Sequence, residues 1–392
     1  MRIKKIKFSD DAKFLLSLFL PLYMIHCMEQ IYFIYGTVLE SYGLSPATIG
    51  NILGSFFLAI MLVRPAGGWM MENLGIKNTL TAGSVFGFVG CGVLFFAESV
   101  PVLFAGRIIS GAAFGIFTSA IYSYQGLIAS EKTRGRLFSL TGSGGVLPTA
   151  TVTPFGEWLV LSGHTNLFLA MGPLICVICF LLGKKIIVHK TPYASEGKTW
   201  GTYRGLLASK PFVMLAITGI MMALVDASST SISLFASERG LVTSYFLASF
   251  SIAAVLVRAA GAKILNVLPR LVCVAPCGML MGVSLLVIAL MPSNTSFIVC
   301  GALFGIGIGA GFPMMLASLS DILPPELRPK ATASALLLYD AGWTATPLLV
   351  GYLTPAFGRA GTFTALAVIT FIALAALTIF YWIPKHLHAS LR

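Results

Sequence analysis

The sequence predicts an all-α membrane protein in which twelve transmembrane helices form two six-helix, pseudo-symmetric halves. Three observations predict it. Apolar runs long enough to cross lipid recur along the 392 residues, Lys and Arg gather in every second loop, and the chain repeats itself at a constant shift that carries Arg64 onto Arg258.

Hydrophobic residues make up 57% of the chain and charged residues 10%, with a mean hydropathy of +0.90, so water is not its main solvent. Backbone polar groups in lipid must be satisfied internally, and continuous apolar runs without period-two alternation select helices over a closed barrel. The first span, Phe14 to Gly36, follows Arg2, Lys4, Lys5 and Lys7. It is too long for a signal peptide core, contains Glu29 and lacks a small-x-small cleavage site. The other spans are predicted at Thr48–Gly68, Thr79–Ala97, Val102–Leu127, Leu137–Leu161, Leu167–Gly183, Phe212–Ala236, Ser244–Ile264, Leu271–Met291, Phe297–Leu319, Ala331–Leu353 and Thr362–Ile383. Residues 1–183 thus form an N-terminal bundle, 184–210 a basic linker and 211–392 a C-terminal bundle.

Between spans the charge is one-sided. Alternate loops carry Lys77; Lys132, Arg134 and Arg136; Lys184 to Lys210; Lys263 and Arg270; then Arg328 and Lys330, whereas the opposite loops hold Arg239 and Arg359. The positive-inside rule then places both termini on the cytoplasmic side of a bacterial inner membrane. The net charge of +12 is therefore mostly topology, and basic residues spread over separate short loops exclude nucleic acid as a partner. All seven cysteines fall inside predicted spans and read as packing groups. Cys176 and Cys179 have the spacing of a metal pair but no His partners, so no metal is expected.

The repeat aligns residues 56–67 with 250–261 and sets Gly111 on Gly305, Gly115 on Gly309 and Arg134 on Arg328. Thr151-Val-Thr-Pro154 matches Thr344-Ala-Thr-Pro347 with one residue gained or lost, which marks an internal duplication. Two parallel six-helix repeats joined by a basic linker imply substrate binding near the midplane between rocking halves. The second-to-third loop carries Gly68, Glu72, Gly75 and Lys77 in a G-x-x-x-D-x-x-G-R-K/R-like pattern, with Glu for Asp and Ile76 at the first basic position. The fourth span carries Leu103, Arg107 and Gly111 in an L-x-x-x-R-x-x-x-G pattern, and Gly135, Gly142, Gly144, Gly145 and Pro148 are similar to the antiporters' fifth-helix signature without its Gly-Pro. On these residues the chain resembles the major facilitator superfamily, in particular its twelve-helix proton-coupled drug and metabolite exporters. The resemblance implies that helices one, four, seven and ten line a central cavity.

Ionisable groups at membrane depth are costly by about 2.5–3.5 kcal/mol on insertion scales, so each needs a partner, a wet cavity or a function. Glu29, Asp226 and Asp340 fall well inside spans, Glu157 near the outer end of the fifth, and Arg107 is the basic residue clearly inside one. Glu29, Asp226 and Arg107 are expected to share one layer, with His26 on the Glu29 face at three-residue spacing. One of the three carboxylates is expected to carry a proton as the cavity alternates sides, in exchange with Arg107; the plainer reading is a permanent ion pair locking helices together. Tyr32, Phe33, Thr118, Tyr122, Gln125, Ser229, Thr230, Tyr339 and Trp343 are the expected substrate contacts, suited to a partly apolar or cationic ligand. Glu72 is expected to latch the cytoplasmic gate with Arg134 or Arg136, and Arg64 and Arg258 sit at repeated helix ends, where snorkelling to lipid phosphate is one reading.

The function expected is proton-coupled antiport that exports a small organic molecule, a drug-like compound or a metabolite such as a metallophore. Proton-coupled uptake of a sugar or organic acid is the alternative, with Arg107 as an anion clamp. The expected protein is a monomer that uses the proton gradient and no cofactor. No His-Glu-x-x-His motif or nucleophile–base spacing points to an enzyme.

Overall fold

The computed structural model describes residues 8–128, 137, 141–188, 202–261, 268–324 and 327–390. Among these, nine helical segments are long and apolar enough to cross a membrane. The last of them, Ala331–Leu387, holds two spans; the shorter apolar helix Thr243–Ala259 and the helix Pro148–Leu161 complete the twelve.

Spans two, three, four and six are the helices Pro46–Leu74, Ile76–Phe95, Val100–Ile128 and Thr165–Lys184, and spans eight, nine and ten are Thr243–Gly261, Arg270–Leu290 and Asn294–Ile322. Several run past the apolar stretches that predicted them, because helix ends follow capping chemistry rather than hydropathy. Ser45 caps the second span by accepting from Thr48 N at 3.2 Å, and Ser293 opens the tenth with a reciprocal capping box. Spans eleven and twelve are two helices within Arg328–Leu377, separated by a sharp kink at Gly358, whose φ of 67° lies in the left-handed region.

The duplication is visible at atomic level. The first span is the helix Phe8–Ile31, a 3-10 turn Tyr32–Ile34 and the helix Tyr35–Ser41; the seventh is Lys210–Asp226, a 3-10 turn Ala227–Thr230 and Ile232–Ser237. Thr153 Oγ1 of span five donates to Gln30 O at 3.0 Å, and its repeat mate Thr346 donates to Leu224 O at 2.8 Å. Gly111 packs so tightly on the Phe56 carbonyl that a Cβ has no room, and Gly305 does the same on Phe250. Close backbone approach of this kind replaces the hydrophobic drive that lipid cannot supply between helices. The outward faces are apolar, with Phe380 80% and Leu62 68% exposed, which suits contact with hydrocarbon.

The halves meet along two seams, spans two with eleven and five with eight. On the first, Gly50 lies against Pro347 and Gly351, Gly54 against Leu348, and Phe57 against Trp343, with ring centroids 5.0 Å apart. On the second, Glu157 accepts from Thr243 N and Ser244 N at 2.7 Å each, and Ser251 Oγ donates to Val146 O at 2.7 Å. Arg359 joins Glu40 and Glu238 across the same end of the molecule. The described contacts between halves therefore close the charge-poor face, the one that carries Arg239 and Arg359.

Candidate functional site

The first span supplies the first element of the site. His26 and Glu29 stand one turn apart, and His26 Nδ1 is 2.8 Å from Glu29 Oε2. The other ring nitrogen of His26 is buried without a hydrogen-bond partner, and the ring meets Phe114 of span four edge-on at 4.9 Å. Beside them Gln30 donates to Gly145 O and accepts from Thr149 Oγ1, both at 2.6 Å, which ties the first span to the bend of the fifth. Sequence reasoning passed over Gln30; an amide in an apolar run was the available signal.

Arg107 is buried, with 3% exposure, and its Nε and Nη1 have no hydrogen-bond partner. Its guanidinium lies over the Phe56 ring at 4.2 Å and near that of Tyr32 at 5.6 Å, a desolvated cation–π setting. Glu29 acts on it electrostatically without touching it. The Glu29–Arg107 contact is not made in this state.

Asp226 ends the long helix of span seven and accepts from Tyr339 Oη at 2.9 Å, with the indole N–H of Trp343 beside it. Asp340 is taken by Arg64. The guanidinium grips the carboxylate with two donors, Nη2 to Oδ1 at 2.8 Å and Nε to Oδ2, so Arg64 joins the halves instead of snorkelling to lipid. Arg258, its repeat mate, reaches the opposite half as well, donating to Gly142 O at 2.9 Å. Each arginine thus ends its seam where the closed part of the interface stops. Tyr122 lies within electrostatic reach of Glu29, Arg64, Arg258 and Asp340.

A sequence profile described as the Major Facilitator Superfamily matches residues 13–293 and 269–392. The chain belongs to the Major Facilitator Superfamily. The chain is 24% identical over 345 residues to an uncharacterised MFS-type transporter of Salmonella typhimurium, covering 85% of this chain and 87% of the relative. It is 29% identical over 157 residues to the arabinose-proton symporter of Escherichia coli K12, but that match spans 38% of this chain and 31% of the symporter. Among solved structures, the human organic anion transporter MFSD10 superposes with a TM-score of 0.71 over 94% of this chain and 99% of its own, at 14% identity. A bacterial homologue of the human lysosomal transporter Spinster, in an inward-facing and unoccupied conformation, gives 0.70 over 95% and 96%, again at 14% identity. At that identity these likenesses establish the fold.

Within this MFS transporter the expected contact residues divide. Phe33 and Trp343 meet at the interface between halves, where Ser233 Oγ also donates to Phe33 O at 2.9 Å, and Tyr339 donates to Asp226 within the C-terminal half. Tyr32 does not reach the interface. It turns into the N-terminal half, packing on Tyr35, Phe168 and Gly172, since neighbouring helical residues point about 100–120° apart. Thr118, Ser229 and Thr230 donate to their own helix backbone, at 2.8, 2.7 and 2.7 Å, and Gln125 accepts from Thr141 at 3.3 Å. In lipid a hydroxyl without water returns to the preceding turn, which explains polar stripes that present few free groups. At the basic face Gly68 is half-buried, Gly75 takes a φ of 78° and Lys77 is exposed. The side chain of Glu72, together with Arg134 and Arg136, lies outside the described residues.

Proposed function

We propose that this MFS transporter is a proton-coupled antiporter that exports a small organic molecule, a drug-like compound or a metabolite such as a metallophore, by alternating access. The Lys and Arg bias supports placing the basic face and both termini in the cytoplasm of a bacterial cell. The described contacts that hold the charge-poor face closed support a conformation that loads from the cytoplasmic side, as an exporter does.

The observation that carries the reading is the Glu29–His26 pair lying opposite a buried Arg107 whose Nε and Nη1 have no acceptor. The hydrogen bond between His26 and Glu29 lets the pair hold one proton with no net charge in lipid, and a release of that proton needs a cation to meet the carboxylate left behind. Arg107 offers Glu29 a second partner, a cation that holds it ionised. Exchange between the two partners gives two proton occupancies, which is what coupling requires. Asp340 is engaged by Arg64 and Asp226 by Tyr339, which leaves Glu29 as the carboxylate with a partner to exchange. The second reading, proton-coupled uptake of a sugar or organic acid, draws on the likeness to the arabinose-proton symporter.

Proteoliposomes with an imposed pH gradient test the proposal against a panel of lipophilic cations and zwitterionic metabolites. Substrate-dependent proton flux is expected in the wild type and absent in Glu29→Gln. Normal coupled flux in a folded Glu29→Gln protein makes the His26–Glu29 pair structural and removes the mechanism.

A further inference from the structure

We infer that Asp226, set in the aromatic layer between the halves, anchors a substrate that is a small organic cation, a protonated or quaternary amine on an apolar body. The inference rests on the transport reading above and names its substrate class.

The other buried carboxylates find their partner charge or dipole within the protein: Glu29 meets His26, Asp340 meets Arg64, and Glu157 meets the N-terminus of span eight. Asp226 differs. Only 5% of it is exposed, its hydrogen bond comes from the neutral Tyr339, and among the described residues no Lys, Arg or His nitrogen lies within ion-pair distance. Arg258 acts on it from farther away. A carboxylate kept ionised at this depth needs a counter-charge, and with aromatic rings and no described cationic side chain beside it the counter-charge is supplied by a cation from outside.

Rings supply the rest of the recognition. Trp343, beside the carboxylate, packs on Phe57 at 5.0 Å and Phe33 at 6.1 Å from the other half, and Tyr339 packs on Phe312 at 5.1 Å. Aromatic faces attract an ammonium and accept its apolar body. Ser228, Ser229 and Thr230 donate to backbone carbonyls at 2.6, 2.7 and 2.7 Å, which leaves them as acceptors only and takes away the donors a sugar's oxygens would use. Because Phe33 and Phe57 belong to one half and Asp226 and Trp343 to the other, the layer comes apart when the halves rock, which couples cation release to opening.

Three probes of one size test it on the purified full chain in detergent, by calorimetry and competition: benzyltrimethylammonium, its neutral carbon isostere neopentylbenzene, and benzenesulfonate. The cation is expected to bind at least about tenfold tighter than the other two. Asp226→Asn should erase that margin, Asp226→Glu should keep most of it, and Trp343→Leu should weaken the cation about tenfold while the neutral isostere's affinity changes less. Equal binding of cation and isostere to the wild type overturns the inference, as does an unchanged margin in folded Asp226→Asn. If Asp226→Asn does not fold, the wild-type margin and Trp343→Leu decide. Since no gradient is present, loss of the margin leaves proton coupling standing, and failure of proton coupling leaves the binding result standing.

Discussion

Removing the Glu157 carboxylate should open the charge-poor face. It belongs to span five, and its acceptors hold two backbone N–H groups and the hydroxyl at the start of span eight in the other half. Hydrogen bonds to a charged group are worth about 1.5–3 kcal/mol each, and the helix N-terminus adds a fraction to the carboxylate. The three do not add independently, since water recovers part of the loss once the seam parts. A net destabilisation of about 3 kcal/mol of the closed seam in Glu157→Ala is a moderate figure, equivalent to a roughly 100-fold shift in the equilibrium between conformations. Glu157→Gln retains one acceptor and should shift it by about half as much in free energy. Spin labels at the exposed Ser162 and Ser237, in a background without the native cysteines, report the separation across this face by double electron–electron resonance. The alanine variant should convert the distribution to a longer distance; an unchanged distribution would falsify the latch assignment.

Other consequences follow from the seams and the site. Breaking the Arg64–Asp340 clasp with Arg64→Ala should cost about 3–5 kcal/mol of stability, and the double variant Arg64→Met, Asp340→Leu should recover most of it, as read by thermal unfolding in detergent. Gly50→Val should keep the charge-poor face from closing, because a Cβ there already meets the Pro347 carbonyl and lies 3.0 Å from Gly351 Cα; the same spin-label distances should lengthen and transport should fall. Arg359→Gln strips the ion-pair partner from Glu40 near water and leaves Glu238 paired with Arg239; such pairs are worth about 1 kcal/mol or less, so a shift under tenfold is expected.

Much of the architecture was legible because lipid imposes simple rules. Apolar length located the spans, loop charge ordered them, and the repeated Arg64 and Arg258 announced the duplication that Thr153 and Thr346 display in their hydrogen bonds. The site was legible as a set of residues and less so as a set of pairs. Asp340 was visible as a buried carboxylate, but its partner Arg64 is 276 positions away and depends on how two helices from different halves rotate against each other. Tyr32 and Phe33 are neighbours in sequence and point to different places, a separation of about 100° that the helical period itself implies once Phe33 is set on the His26–Glu29 face. Glu157 was noted as a buried acid near a span end. Its acceptor role became apparent only when the start of span eight was placed beside it.

Everted membrane vesicles expressing the protein give the most direct test of the central claim. With the interior acidified by respiration, a proton antiporter that exports from the cytoplasm accumulates a labelled cationic substrate inside the vesicle, and dissipating the gradient or substituting Glu29→Gln abolishes accumulation. Substrate loss from preloaded vesicles under the same gradient, prevented by the same treatments, would contradict export and establish proton-coupled uptake in its place.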